Sequence, residues 1–257
     1  MPIIKTFEEI EKLRQSARLL SVCLDMLVAG AQAGVSATRI DQLAEQFIRD
    51  HGAVPAFKHY SSVPSDSKFP SSVCFSRNNV LVHGVPFDSD VIQDGDVITI
   101  DCGLSIDGWF ADAARLFGVG TIAEEDEKLI AASKRALQSG IDKCVPGNKL
   151  GDICSAIQVS IGVSRYHNVL QFCGHGIGQK MHEEPQIPNF GKPGDGLLLE
   201  PGMVFCLEPM LLKNKTGLGV LPDRWTIVTL DGSKSAHIEH MVLITESAPD
   251  VLTKEVK

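Results

Sequence analysis

Apolar side chains recur at Ile10, Leu13, Ala17, Leu20, Leu24 and Leu27 in the three- and four-residue steps of a single helical face. Thr6 followed by Glu9 is a capping-box pattern, so the first predicted element is a long amphipathic helix ending near Gly30. A second helix is predicted from a cap at Ser36 to Thr38, with Ile40, Leu43, Phe47 and Ile48 on one face and Gly52 as its stop. Residues 53–72, rich in Pro, Ser and Lys, read as a surface loop. Short strands are expected at 73–75 and 80–82, ahead of His83-Gly84.

The period then changes. Between Gly95 and Phe117, the β-branched run Val97, Ile98, Thr99 and Ile100 and the tight-turn pair Asp107-Gly108 predict two antiparallel strands joined as a hairpin. Each strand carries an aspartate, Asp101 and Asp112. Residues 124–144 return to helical spacing, with acids first and Lys134, Arg135 and Lys143 later, the order the helix dipole favours. Pro146-Gly147 ends that helix, and a shorter one is expected over 150–164. Further on, the run from Gly202 to Glu208 repeats the glycine, apolar strand and carboxylate at the same offset, and 235–243 returns as a second strand carrying Glu239.

The chain therefore reads as one unit stated twice: long helix, shorter helix, a His-Gly pair (His83-Gly84, then His175-Gly176) and a two-carboxylate hairpin, with a junction near residue 120. Two such units, packing their sheets together under an outer layer of helices, make an α+β molecule, a single catalytic domain over residues 1–257. If the halves are related by a pseudo-twofold, Asp101, Asp112, Glu208 and Glu239 converge on their shared interface.

Composition narrows the class. The 257 residues, 44% of them apolar, suffice for a sizeable core. The 24 basic and 32 acidic side chains leave a net charge of −8, which argues against a protein whose main task is holding nucleic acid. No apolar run reaches about 18 residues, and the first residues lack the apolar core of an export signal, so an unexported, soluble, cytoplasmic protein is expected. The seven cysteines include no Cys-x-x-Cys pair and suit reduced thiols, most of them core filler.

Four neighbouring carboxylates cannot all stay ionised without cations, and two divalent ions would resolve the repulsion. The imidazole candidates are His83, His175 and His182, each beside glycine or in a turn-like stretch. Cys173-Gly174-His175-Gly176-Ile177-Gly178 is too rich in glycine for a helix and lets backbone approach a site closely. His182-Glu183-Glu184-Pro185 lacks the second histidine of a zincin motif. His237 shares a strand face with Glu239 and can support it from behind, whereas His51, His59, His167 and His240 read as structural or solvated.

The order His83, Asp101, Asp112, His175, His182, Glu208, Glu239, with Cys-Gly-His-Gly-Ile-Gly, His-Glu-Glu-Pro and Glu-Pro-Gly-Met-Val-Phe-Cys-Leu-Glu-Pro, resembles the type I methionine aminopeptidases over essentially the whole chain. The resemblance implies the pita-bread fold: two pseudo-twofold-related halves with a central curved antiparallel sheet covered by helices. It implies that Asp112 and Glu239 bridge two metal ions, that Asp101 completes one shell, and that His175 and Glu208 complete the other. Co, Mn, Fe and Zn all accept such ligands. Glu208 is implied as the general base toward a metal-bound hydroxide that attacks the scissile carbonyl. His83 and His182 are implied as contacts to the substrate's amino terminus and scissile amide.

The implied substrates are nascent polypeptide N-termini with a small second residue, met in the cytoplasm by a monomer that associates transiently with ribosomes and with neither membrane nor specific nucleic acid. Tyr60, Phe69, Cys74 and Trp225 occupy the family's pocket positions. Met181 is implied as a further substrate-pocket residue, where it replaces the usual Phe before His182; Phe57 stands near a position often held by Cys, and Cys206 takes a strand position that is usually Thr. The stretch between Tyr60 and Phe69 is longer than in compact members. Prolidases sharing the fold carry an N-terminal domain, for which no room is expected before Thr6, and type II enzymes carry a helical insertion that the stretch from Glu208 to Glu239 is too short to hold. Non-catalytic binding modules of this fold lose the ligands that are all present here.

Overall fold

The computed structural model describes residues 4–61 and 67–256; the middle of the stretch between Tyr60 and Phe69 lies outside the described residues. In chain order the first elements are α1 (Phe7–Gly30), α2 (Ala37–Asp50), β1 (Val54–Pro55), β2 (Val73–Arg77), β3 (Val80–Val82), β4 (Val97–Ile106), β5 (Trp109–Gly118), α3 (Glu124–Ile141) and α4 (Leu150–Val163). Strands β6 (His167–Asn168), β7 (Cys173–Gly176), β8 (Glu183–Pro188), β9 (Val204–Leu207), β10 (Met210–Leu212), β11 (Leu218–Val220), β12 (Ile227–Thr229), β13 (Ser235–His237), β14 (His240–Leu243) and β15 (Asp250–Val251) follow. Every strand pairing is antiparallel.

The capping box that opens α1 is made: Glu9 N donates to Thr6 Oγ1 at 3.3 Å, and Thr6 N donates to Glu9 Oε2 at 2.8 Å. The helical stripe from Leu13 to Leu27 is fully buried, and with Ile40, Ala44 and Ile48 of α2 it covers Ile98, Ile100, Cys102 and Leu104 of β4 and Ala111 and Ala113 of β5. In the second half, α3 and α4 cover Phe205 and Leu207 of β9 and Val242 of β14 in the same way. Two helices over a sheet therefore occur twice, in the order the sequence pattern predicts.

The predicted hairpin is β4–β5. Asp107 (φ 49°) and Gly108 (φ 78°) both take left-handed backbone, the requirement of the tight turn whose twist matches two antiparallel strands. The ladder pairs Gly103 with Asp112 and Asp101 with Ala114. Directly paired residues share a face, as do residues two apart, so Asp112 and Asp101 leave the same side of the hairpin, opposite the side packed on α1.

Two segments differ from expectation. Residues 235–243, read as one strand, are β13 and β14, which belong to different sheets and are broken at Ile238-Glu239. Their partner breaks correspondingly into β9 and β10 at Glu208-Pro209, where proline has no N–H to offer a ladder. Glu239 instead exchanges backbone hydrogen bonds with Ala114 of β5, each at 3.3 Å, which stitches the sheets together at the carboxylates.

The described residues of 53–72 are also not a plain surface loop. Val54–Pro55 adds a strand to β4, Phe69 is 3% exposed, and the half-buried carboxylate of Asp41 accepts the N–H groups of Ser72 and Val73 at 2.7 and 3.1 Å. Among the described residues no helix is long and apolar enough to cross a membrane. All seven cysteines are free.

Candidate metal centre

Asp101 and Asp112 project from β4 and β5, His175 from β7, and Glu208 and Glu239 from the two strand breaks. A single cluster results. His175 Nε2 lies 3.7 Å from Asp112 Oδ2 and 3.8 Å from Glu208 Oε1, while His237 Nε2 lies 3.8 Å from Glu208 Oε2 and 4.0 Å from Glu239 Oε2. Donor atoms of Asp112, His175, Cys206 and Glu239 all fall within 4.8 Å of one another.

Electrostatics make this arrangement costly without a cation. Burial raises the carboxyl pKa of Asp101 to about 7, despite a hydrogen bond from Asp112 that lowers it. Burial also raises Asp112, Glu208 and Glu239 well above the ordinary carboxylate range, and each is pushed further by its neighbours: Glu239 and Asp101 on Asp112, Asp112 and Asp101 on Glu208, Glu208 and Asp101 on Glu239. Asp101 Oδ1, Asp112 Oδ1 and Glu239 Oε1 are buried without a hydrogen-bond partner. Buried acceptors with no donor are rare in native proteins, and a divalent cation is the group that satisfies several at once. The donor set, carboxylate oxygens with one imidazole, fits such an ion.

His175 could hold a metal ion through Nε2. Its Nδ1 lies 2.9 Å from the carbonyl oxygen of Gly176, which fixes the proton on Nδ1 and leaves the Nε2 lone pair facing the carboxylates. Burial and the neighbouring His182 lower its pKa to about 3, so the ring is neutral. Glycine is required beside it: a Cβ on Gly174 would stand 2.2 Å from the Cys206 carbonyl oxygen.

The cluster forms one wall of a cavity of about 870 Å³. Of the sequence-predicted pocket residues, Tyr60, Phe69, Cys74 and Trp225 line it, together with Phe57, His83 and His182. Phe69 and Trp225 meet edge to face at 5.3 Å. Tyr60 Oη is 2.9 Å from His182 Nδ1, and the rings of His182 and His175 are 4.3 Å apart. His83 sits at φ 55°, a backbone state that ordinary side chains adopt only when the surroundings enforce it. Burial, then His182, lowers its pKa to about 4.

Met181 does not line the cavity. It is buried, and its Cε shares with the Phe57 ring the space above Gly103 that a Cβ would otherwise fill. Phe172, Met210 and Glu183 line the cavity and were not foreseen; Glu183 pairs with Lys5 Nζ at 2.5 Å, a contact across 178 residues that no local pattern announces. Met210 had a signal, standing two positions after Glu208. His240 binds Thr253 Oγ1 through Nδ1 at 3.1 Å, away from the cluster, as expected.

Residues 11–246 match metallopeptidase family M24. The chain belongs to this family. M24 membership implies use of divalent metal, in agreement with the unpartnered carboxylates above. Relatives within M24 include the methionine aminopeptidase of Clostridium perfringens, 42% identical over 253 residues that cover 98% of this chain and 99% of that one. The crystal structure of methionine aminopeptidase from Thermotoga maritima superposes with a TM-score of 0.94 at 35% identity, covering 99% of this chain and all of that one. The prolidase of Pyrococcus horikoshii shares the fold, with a TM-score of 0.77 at 21% identity, and this chain spans 65% of it. The M24 chain thus has the pita-bread fold expected from its motifs.

Proposed function

We propose that the chain is a methionyl aminopeptidase that uses two divalent ions to remove the N-terminal methionine of nascent proteins when the second residue is small. The observation that carries this reading is that the five predicted ligands line one cavity together with Phe57, Tyr60, Phe69, Cys74 and Trp225. Full-length likeness to proteins named methionine aminopeptidase supports it.

Asp112 and Glu239 would bridge the ions, Asp101 would complete one shell, and His175 and Glu208 the other. Ions held there supply Lewis acidity toward water and the scissile carbonyl and a docking point for the free α-amine. Glu208 accepts the proton of the attacking water and returns it to the departing amine; burial and the charges of Asp112 and Asp101 raise its basicity. His83 and His182 work as neutral imidazoles, since burial lowers both pKa values. With the Tyr60 hydroxyl donating to Nδ1, His182 keeps its proton on Nε2 and donates it toward the oxyanion that forms at the scissile carbonyl.

Phe57, Tyr60, Phe69, Cys74 and Trp225 receive the methionine side chain, whose thioether packs well on aromatic rings. Cytoplasmic work by a monomeric single domain on N-termini leaving the ribosome completes the reading. Glu208→Ala is expected to lower kcat for Met-Ala-Ser by at least about 10²-fold without loss of the folded far-ultraviolet spectrum. Wild-type turnover by this variant contradicts the assignment.

A further inference from the structure

Cys206 is the one cysteine among the described residues whose sulfur joins a potential metal-binding group. Its position follows from the sheet. Cys206 on β9 is paired directly with His175 on β7, so their side chains leave the sheet on the same side, and Glu208 follows two residues on, again on that side. The side chain is fully buried, with Sγ 4.0 Å from the carbonyl oxygen of Asp112 and within 4.8 Å of donor atoms of Asp112, His175 and Glu239. Two carboxylate oxygens of the same group, Asp112 Oδ1 and Glu239 Oε1, are buried without partners.

We infer that Cys206 Sγ is a further donor to this centre, which biases it toward borderline-soft divalent ions such as zinc and cobalt over manganese. The inference rests on the reading that the carboxylate cluster holds metal. Thiolate sulfur favours zinc and cobalt, whereas an all-oxygen set with one imidazole suits manganese equally well, so one sulfur changes the order of preference. On binding, the Sγ–H bond breaks, the proton passes by way of the neighbouring Asp112 and Glu239 carboxylates, which line the cavity, to water, and a sulfur lone pair forms the bond to the ion. A core thiol that only donates a hydrogen bond to the Asp112 carbonyl oxygen would leave selectivity unchanged.

The test is a Co(II) titration of the chelator-stripped full chain, followed by absorption, for the wild type, Cys206→Ser and Cys206→Thr. Visible ligand-field bands report metal in the carboxylate centre, and a near-ultraviolet sulfur-to-cobalt band reports the thiolate. The wild type is expected to develop both together. The two variants, which keep a hydroxyl donor, are expected to keep the visible bands and lose the near-ultraviolet one, with the zinc-to-manganese affinity ratio falling at least about 10-fold. Visible bands without the near-ultraviolet band in the wild type overturn the inference, even if neither variant folds. So does a near-ultraviolet band that survives in the variants, or an unchanged affinity ratio. No visible bands in the wild type overturn the carboxylate centre itself, and the inference with it.

Discussion

Tyr60 Oη lies 2.9 Å from His182 Nδ1. In the proposed mechanism the hydroxyl donates there, which selects Nε2 of the neutral ring to donate into the cavity. Tyr60→Phe removes that preference without emptying the pocket wall. The expected result is a loss of about 1 kcal/mol, roughly five-fold, in kcat/KM with KM little changed, measured on a Met-Ala peptide; an unchanged kcat contradicts the role. At this scale the sequence was informative wherever a residue's own chemistry was out of place. Asp101 in an apolar strand and His175 among glycines both announce a site. Met181 did not obey the same logic. The family pattern suggested a pocket wall, but its Cε packs over Gly103 beside the Phe57 ring, and it is Phe57 that lines the cavity.

At the scale of elements, the carboxylates mark the seams. Asp101 and Asp112 share one face of β4–β5, while Glu208 and Glu239 occupy the points where two strands leave one sheet for another. Ala114 and Glu239 tie these seams by backbone, so the charges are held close whether or not a cation is present. Stability of the metal-free chain should therefore depend on pH in a definite way. The folded pKa of Asp101 is raised from 3.8 to about 7, so its contribution is complete below 3.8 and is lost as pH rises through 7. His175 and His83 behave oppositely: lowered from 6.5 to about 3 and about 4, they contribute fully above 6.5 and lose that contribution as pH falls. Above pH 6.5 the histidine contribution is complete, and only the carboxylate loss remains.

The thermal midpoint of stripped protein is expected to fall from pH 6.5 to about pH 8, and added Mn(II) to abolish the fall, because ionised carboxylates are the proposed ligands. A metal-free midpoint that stays flat or rises over this window contradicts the account. The helices and the β4–β5 hairpin were legible because a 3.6-residue stripe, a capping box and an Asp-Gly turn are local signals. The break at Ile238-Glu239 was not, since residues 235–243 keep strand-like composition and only the partner strand, through Pro209, and the distant Ala114 decide where the ladder ends.

At the scale of the whole molecule, the repeated unit of helices, strands and two acids explains why four carboxylates separated by up to 138 positions in sequence, Asp101 to Glu239, meet at one place. The repeat was readable because each half carries its own copy of the glycine-to-acid offset. The cavity walls were less so: residues 53–72 are polar enough to read as surface, yet Ala53, Pro55, Phe69, Ser71 and Ser72 are buried, where Asp41, Gly103 and Trp225 from other parts of the fold receive the chain. Lys5 closes the same region from the other side, through Glu183 and a backbone bond to Gly202. The central claim is that this assembled wall of acids, loaded with divalent metal, cuts methionine from a peptide N-terminus and admits only a small second residue. The direct measurement is release of free methionine from Met-Ala-Ser and Met-Lys-Ser by chelator-stripped protein, before and after addition of Mn(II) or Co(II). The account predicts no release without metal, release from Met-Ala-Ser once metal is restored, and little or none from Met-Lys-Ser. Metal-independent release, or no release from either peptide with any metal, would contradict it.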